Sequence, residues 1–280
     1  GNPPDTTGSP NPAGSVPYAY RIGKYEVSEQ MINKANALGG LGITKDTRGP
    51  DKPATNVSWF EAARFVNWLN TSTGHTPAYK FVPLDQNSPP ELVAAMGFTL
   101  WEPGDAGYNS ANRFRNSQTA YFLPSVDEWY KAAFYDPVNG VYWNYATGSN
   151  APSMPVPSGT APGTAIVMQG LAAGPTDIMT AGGLGPYGTM AQGGNVDEWE
   201  ETEFDLVNDN PLTLRGRRGG GWDSFPSTLS SANRFAWQPS NAVFGTGFRV
   251  GSIVPEPSTF FSVIVASITL AVSAPRRRNK

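Results

Sequence analysis

The chain contains no cysteine and a single histidine among its 280 residues. Without thiols there are no disulfides, no cysteine-held zinc or iron–sulfur centre, and no thiolate nucleophile. One imidazole cannot build a histidine-rich metal centre, and any Ser-His-Asp triad would have to use His75. That residue stands in Thr71-Ser72-Thr73-Gly74-His75-Thr76-Pro77, a turn pattern, and reads as an exposed loop histidine. Basic residues are also scarce in the body. Four of the twenty lysines and arginines (Arg276, Arg277, Arg278 and Lys280) crowd into the last five positions, while six acids fall between Asp197 and Asp205. An acidic body with no basic stripe argues against nucleic acid as a partner.

Glycine and proline, by contrast, are plentiful at 31 and 26 residues, and 8 Trp, 11 Tyr and 14 Phe supply material for a core. That combination points to one loop-rich domain of adequate size to fold alone. Residues 1–17, rich in Pro, Gly, Asn and Ser, read as a flexible lead-in, and Tyr18 to Val27 has strand character. Ser28 can cap a helix that runs to Leu38 and stops at Gly39-Gly40. Ser58 with Glu61, and Ser125 with Glu128, are capping boxes. Behind Ser58, the residues Trp59, Ala62, Ala63, Val66 and Leu69 repeat at helical spacing and face a core. Asp127 and Glu128 fall in the first turn of the third helix, where its dipole favours carboxylates. Asp136 to Tyr187 lacks periodicity and reads as long ordered loops. Short strand candidates follow at 212–215, 218–222 and 248–253, and helices early with strands late predict an α+β class.

The C-terminus is a separate module. Ser258 to Ala274 holds seventeen consecutive uncharged residues, bounded by Pro257 and by Pro275 with three arginines. As a helix this segment would extend about 25 Å, close to the hydrocarbon core of a bilayer. The basic cluster would then stay cytoplasmic. The alternative is a buried C-terminal core helix. Val254-Pro255-Glu256-Pro257-Ser258, the apolar stretch and the terminal arginines together resemble the PEP-CTERM sorting tail of Gram-negative surface and matrix proteins. The resemblance implies export, an inner-membrane intermediate, and recognition of Pro255, Glu256 and Pro257 by an exosortase-type protease. The cell surface or extracellular matrix would be the destination. Gly1-Asn2-Pro3-Pro4 has no export signal, so the chain is expected to have been trimmed there.

Six further segments, in order, resemble the formylglycine-generating enzyme (sulfatase-modifying factor) family. They are 22–28, 53–64 with Trp68-Leu69, 121–129, Tyr187-Gly-Thr-Met with Gly194-Asn-Val-Asp-Glu-Trp199, Arg218-Gly-Gly-Gly-Trp222, and Asn233-Arg-Phe235 leading to Gly247-Phe-Arg-Val250. They imply a C-type-lectin-like α+β domain over 18–253, ahead of the tail at 254–280. In that family two cysteines hold copper for oxygen activation. Their positions fall here at about Ala232 and Trp237, neither of which can bind Cu(I), so copper and formylglycine-generating oxidase activity are not expected. A calcium-binding loop of the family corresponds to Gly194, Asn195, Val196 and Glu198, with Asp197 where tryptophan is usual. Calcium there is the expectation, since a hard cation prefers several oxygens. The alternative is a solvated acidic face. A second family calcium site, near Thr164 to Met168, looks lost.

The functional expectation is a non-catalytic displayed domain that binds extracellular polysaccharide or matrix protein, or serves as structure. Its candidate ligand face comprises Trp222, Asp223, Arg234, Phe235 and Trp237, where the family's groove would lie. The alternative is a carboxylate-based hydrolase at the same groove, for which Asp223 is the nearest nameable acid. Arg215 to Arg218 looks like a small basic patch, and its glycines read as permitting tight turns rather than cradling a phosphate.

Overall fold

Three serines start three helices at the positions their spacing predicts. In the computed structural model, which describes residues 1–254, β1 (Tyr20–Ile22) precedes α1 (Glu29–Gly39). The Ser28 hydroxyl accepts from Met31 N, and Gly40, at φ 63°, ends the helix in the left-handed conformation that glycine adopts without strain. Helix α2 (Trp59–Ser72) opens on a complete capping box between Ser58 and Glu61. Trp59, Ala62, Ala63 and Val66 are buried along its inner side, with Leu69 half-buried. His75 follows α2 in an exposed turn. After β2 (Lys80–Phe81) comes the short α3 (Pro90–Ala94), which had no sequence signal beyond its leading prolines, then β3 (Phe98–Thr99) and β4 (Tyr121–Phe122). Helix α4 (Val126–Phe134) carries the second box, between Ser125 and Glu128.

The remaining strands are short. They are β5 (Tyr135–Asp136), β6 (Val141–Tyr142), β7 (Met154–Pro155), β8 (Thr164–Ala165), β9 (Asp197–Glu203), β10 (Arg215–Arg218), β11 (Phe235–Trp237), β12 (Thr246–Gly247) and β13 (Gly251–Ile253). Besides the two-stranded pairs β2-β3, β5-β6 and β7-β8, there are two larger sheets. One has the order β1-β13-β4, in which Tyr20 pairs with Ile253 and joins the start of the domain to its end. The other has the order β11-β10-β9-β12, with β9 antiparallel to β10 and parallel to β12. Most of the chain between them is turn and loop, a mixed helix-and-strand architecture of low regularity.

The main core lies between α2 and β9. Trp59 packs edge-on against Phe98 at 5.1 Å and Tyr79 at 5.4 Å between ring centroids. Two indoles tie helix to strand reciprocally. Trp59 Nε1 donates to Glu200 O and Trp199 Nε1 donates to Val57 O, each at 2.9 Å. Both rings are therefore buried with their polar edges satisfied, which is the condition for placing tryptophan in a core.

Residues 1–17, expected to be a flexible lead-in, instead pack over α4. Asp5 and Ala13 bridge through their backbones, Tyr130 donates its hydroxyl to Asp5 Oδ2 at 2.6 Å, and Gly14 N donates to Asp127 Oδ1 at 2.7 Å. Aromatic and carboxylate partners from α4 supply what the segment's own composition lacks. The Pro255-Glu256-Pro257 triplet and the apolar stretch 258–274 lie outside the described residues. Within 1–254 no helix is long and apolar enough to cross a membrane.

Candidate functional site

The acidic run from Asp197 to Glu203 is not a solvated face. It forms β9, a central strand whose residues from Glu198 to Glu203 are all buried, and its acids meet arginines from distant parts of the chain. Glu198 takes Arg249; Glu200 takes Arg218 and, at 2.8 Å, Arg234; Glu201 takes Arg115 at 2.7 Å. Glu203 instead accepts from Asp209 N and Asn210 N, and burial pushes its carboxyl above the usual range. Glu198, Glu200 and Glu201 are tolerated in the interior because each meets a guanidinium and is hydrogen-bonded, whereas Glu203 Oε2 has no partner.

This pairing bears directly on calcium. Both oxygens of Glu198 are engaged by the Arg249 guanidinium, and Oε2 also accepts from Trp129 Nε1 at 2.6 Å. The Asn195 Oδ1 accepts from Thr176 N at 2.9 Å while its Nδ2 donates to Glu26 Oε2 at 2.6 Å. Gly194 and Val196 contribute backbone only, and Gly194 N bonds Gly219 O. A cation here would have to compete with a fixed positive charge on the carboxylate meant to lead its coordination. Among the described residues no group of three or more His, Asp or Glu side chains is placed to hold a metal. The donor set at 194–198 does not fit calcium, because Arg249 already occupies the electrostatic role.

Glu26 completes this region and was missed by the sequence reading. Its carboxyl is buried with Oε1 unpartnered; burial first, and the Glu198 charge next, push it well above the usual carboxylate range. The only sequence signal was its place inside a strand-like stretch.

The five candidate ligand residues divide. Trp222 is fully buried, lies under the Arg48 guanidinium at 5.0 Å and packs edge-on against Phe244. Arg234 is turned inward to Glu200 and to the carbonyls of Glu203 and Phe204. Both are framework. Phe235 and Trp237, at 39% and 45% exposure, are the outward residues of β11, the edge strand of the sheet, and Asp223 is exposed nearby in sequence to Trp222. Ala232 and Trp237, which stand where the family resemblance lays its copper-binding cysteines, are both at the surface.

Between the two exposed rings stands Arg217, with its guanidinium 5.9 Å from the Phe235 ring and 5.6 Å from the Trp237 ring. Asp197 Oδ2 at 2.9 Å and Thr246 Oγ1 at 3.0 Å fix its orientation. The structure thus replaces the expected basic patch at 215–218 with three separate fates. Arg215 is sunk among Trp59 and Phe114, and burial pushes it down to about 10; Arg217, its side chain 16% exposed, pairs with Asp197; Arg218 pairs with Glu200. A register shift between Arg215 and Arg217 makes this possible, because it breaks the alternation a regular strand would impose.

Asp197 is the acid closest in role to a hydrolase reading. Burial pushes its carboxyl up, with the Asp223 charge adding to the effect, while Arg217 opposes it. Yet one oxygen is held by Arg217 and the other accepts from Gly220 N at 2.9 Å. Neither is left to transfer a proton to a substrate, so the geometry does not favour paired-carboxylate hydrolysis.

Comparison with known proteins agrees with this architecture. The family model for the sulfatase-modifying factor enzyme 1-like domain matches residues 10–252. Two solved structures resemble the chain throughout. The crystal structure of CarF has a TM-score of 0.57 at 20% identity, covering 84% of this chain and 87% of that one. The Treponema denticola variable protein 1 has a TM-score of 0.58 at 20% identity, covering 90% and 91%. At that identity the likeness shows the fold alone, and no curated protein matches the chain. With nearly all of its described length covered by one family model, the chain belongs to the sulfatase-modifying factor enzyme 1-like domain family.

Proposed function

We propose that this domain is a non-catalytic binding module, exported and displayed at the cell surface or in the extracellular matrix of a Gram-negative bacterium, with a ligand platform formed by Phe235, Arg217 and Trp237. The observation that carries the reading is the pair of exposed rings, Phe235 and Trp237, flanking the Arg217 guanidinium on the edge strand, near where the family resemblance lays its copper-binding cysteines. Two ring faces around one oriented cation suit the C–H faces and hydroxyls of a polysaccharide, or aromatic and acidic side chains of a matrix protein. With no cysteine in the sequence, the family's copper chemistry has no ligands to run on.

The tail supports the location. Its triplet Pro255-Glu256-Pro257, apolar stretch and terminal arginines have the order of a PEP-CTERM sorting signal, which an exosortase-type protease would recognise from the inner membrane. Fractionation of cells expressing the intact chain or a Glu256→Ala variant tests this part. Retention of the variant in the membrane supports it, and identical fractionation overturns it.

The platform is tested by isothermal titration against the producing organism's exopolysaccharide and matrix fragments. Binding that Trp237→Ala weakens by about tenfold or more supports the proposal. Binding to neither ligand, or binding indifferent to Trp237→Ala, overturns it.

A further inference from the structure

A second feature is independent of that platform. A cavity of about 550 Å³ opens between β1, α4 and the 184–190 turn, lined by Tyr18, Tyr20, Arg21, Lys24, Lys131 and Tyr187. Its size is in the range of small-ligand clefts. Two of its rings are fixed before any ligand arrives. Tyr18 donates its hydroxyl to Glu128 Oε1 at 2.8 Å and Tyr20 donates to Glu128 O at 2.6 Å. The rings stand 6.3 Å apart at 70°, which makes an angled aromatic wall. Glu128 is itself clamped by Arg115, so the wall is braced from the core.

The charges around the cavity are unusual for this chain. Asp197, Glu198, Glu200 and Glu201 of β9 and Glu128 of α4 are matched by arginines, yet among the described residues none of Arg21, Lys24 and Lys131 has a carboxylate within ion-pair distance. Lys131 Nζ lies 5.7 Å over the Tyr20 ring, and Arg21 and Lys24 are exposed. Thr189 lines the same cavity, and its hydroxyl is buried without a hydrogen-bond partner. Unpaired cations gathered at one opening of an acidic body favour an anionic ligand. The Tyr18 and Tyr187 faces, both exposed, favour sugar rings.

We propose that this cavity binds a carboxylate-bearing oligosaccharide, a chain of uronate units, whose rings lie against Tyr18, Tyr20 and Tyr187 and whose carboxylates meet Arg21, Lys24 and Lys131. A neutral glycan would leave three cations unused, and an acidic peptide would leave the rings without flat partners.

Isothermal titration of the full chain with tetragalacturonate tests this. Single-site binding is expected, weakened about tenfold or more by Tyr187→Ala and by the Arg21→Glu/Lys24→Glu double variant. All three positions are exposed, so the variants fold, and circular dichroism checks that they do. The methyl-esterified oligomer, with the same rings and no charge, is expected to bind about tenfold less or weaker. Trp237→Ala is expected to leave tetragalacturonate binding unchanged, which separates this cavity from the β11 platform. No binding, binding indifferent to both variants, or hexaglutamate binding as tightly as the uronate would each overturn the proposal.

Discussion

Glu198 and Arg249 are both fully buried and joined edge to edge, with Arg249 Nε donating to Glu198 Oε2 at 2.6 Å and a second bond running from Nη2 to Oε1. Arg249 also donates to the carbonyls of Gly23 and Met190, so this one guanidinium binds β9 to the chain ahead of α1 and to the loop before β9. Removing one partner of such a pair strands the other charge in the interior. Arg249→Met is therefore expected to cost about 3–5 kcal/mol in urea denaturation, and the double variant with Glu198→Leu to recover a substantial part of it. A cost under about 1 kcal/mol for Arg249→Met would contradict the pairing.

Because that guanidinium holds both oxygens of Glu198, the melting temperature is expected to be the same with excess chelator as with millimolar calcium. A ligand that binds only the folded state must raise its stability. A calcium-dependent rise of several degrees would mean that the 194–198 loop opens to the cation after all.

Glu26 gives a pH signature of the opposite sign to the usual carboxylate. Its folded-state pKa is raised, by burial first and by Glu198 next, so its favourable contribution is complete below the unfolded value of about 4.5 and declines as pH rises toward the folded one. Glu26→Gln removes that decline while keeping an acceptor for Asn195 Nδ2. The variant is expected to be more stable than the parent at pH 8 and to lose that advantage toward pH 4, read from thermal melts across the range. A variant that is less stable at every pH would refute the assignment.

Glu128 behaves conventionally. Burial disfavours its charge, yet two bonds from Arg115, at 2.9 and 2.8 Å, hold its carboxyl below the usual carboxylate range. Its stabilisation is present above the unfolded pKa and lost as pH falls through the folded one. Glu128→Gln should therefore lower stability at pH 7 and flatten acid unfolding below about pH 4.5. Ser125→Ala, which removes only the cap hydroxyl, is expected to cost about 1 kcal/mol. Equal losses for the two variants would show that Glu128 acts only as a capping residue.

These pairs also mark where the sequence stops being legible. The helix starts at Ser28, Ser58 and Ser125 are local: a hydroxyl, an N–H three residues on and a returning glutamate lie within one turn, so their spacing alone places them. The inward residues of α2 follow from its period. The fate of the β9 acids does not, because their partners Arg115 and Arg249 lie tens of residues away and nothing in the acidic run names them. Trp222 and Arg234 look like a ligand face because tryptophan and arginine serve both cores and sites; only burial separates them from Phe235 and Trp237. Arg217 was hidden inside an arginine cluster whose members diverge at a register shift. The packed lead-in was hidden in the same way, since Tyr130 and Asp127, which hold it, lie more than a hundred residues downstream.

The chain keeps the frame of the sulfatase-modifying factor enzyme 1-like family with no cysteine in its sequence, and Ala232 and Trp237 stand at its surface. The direct test is to incubate the purified chain with Cu(I), oxygen and a cysteine-containing sulfatase peptide, and to follow aldehyde formation by hydrazide capture and mass spectrometry. The expected result is no product above the protein-free control. Turnover of the peptide to formylglycine would contradict it.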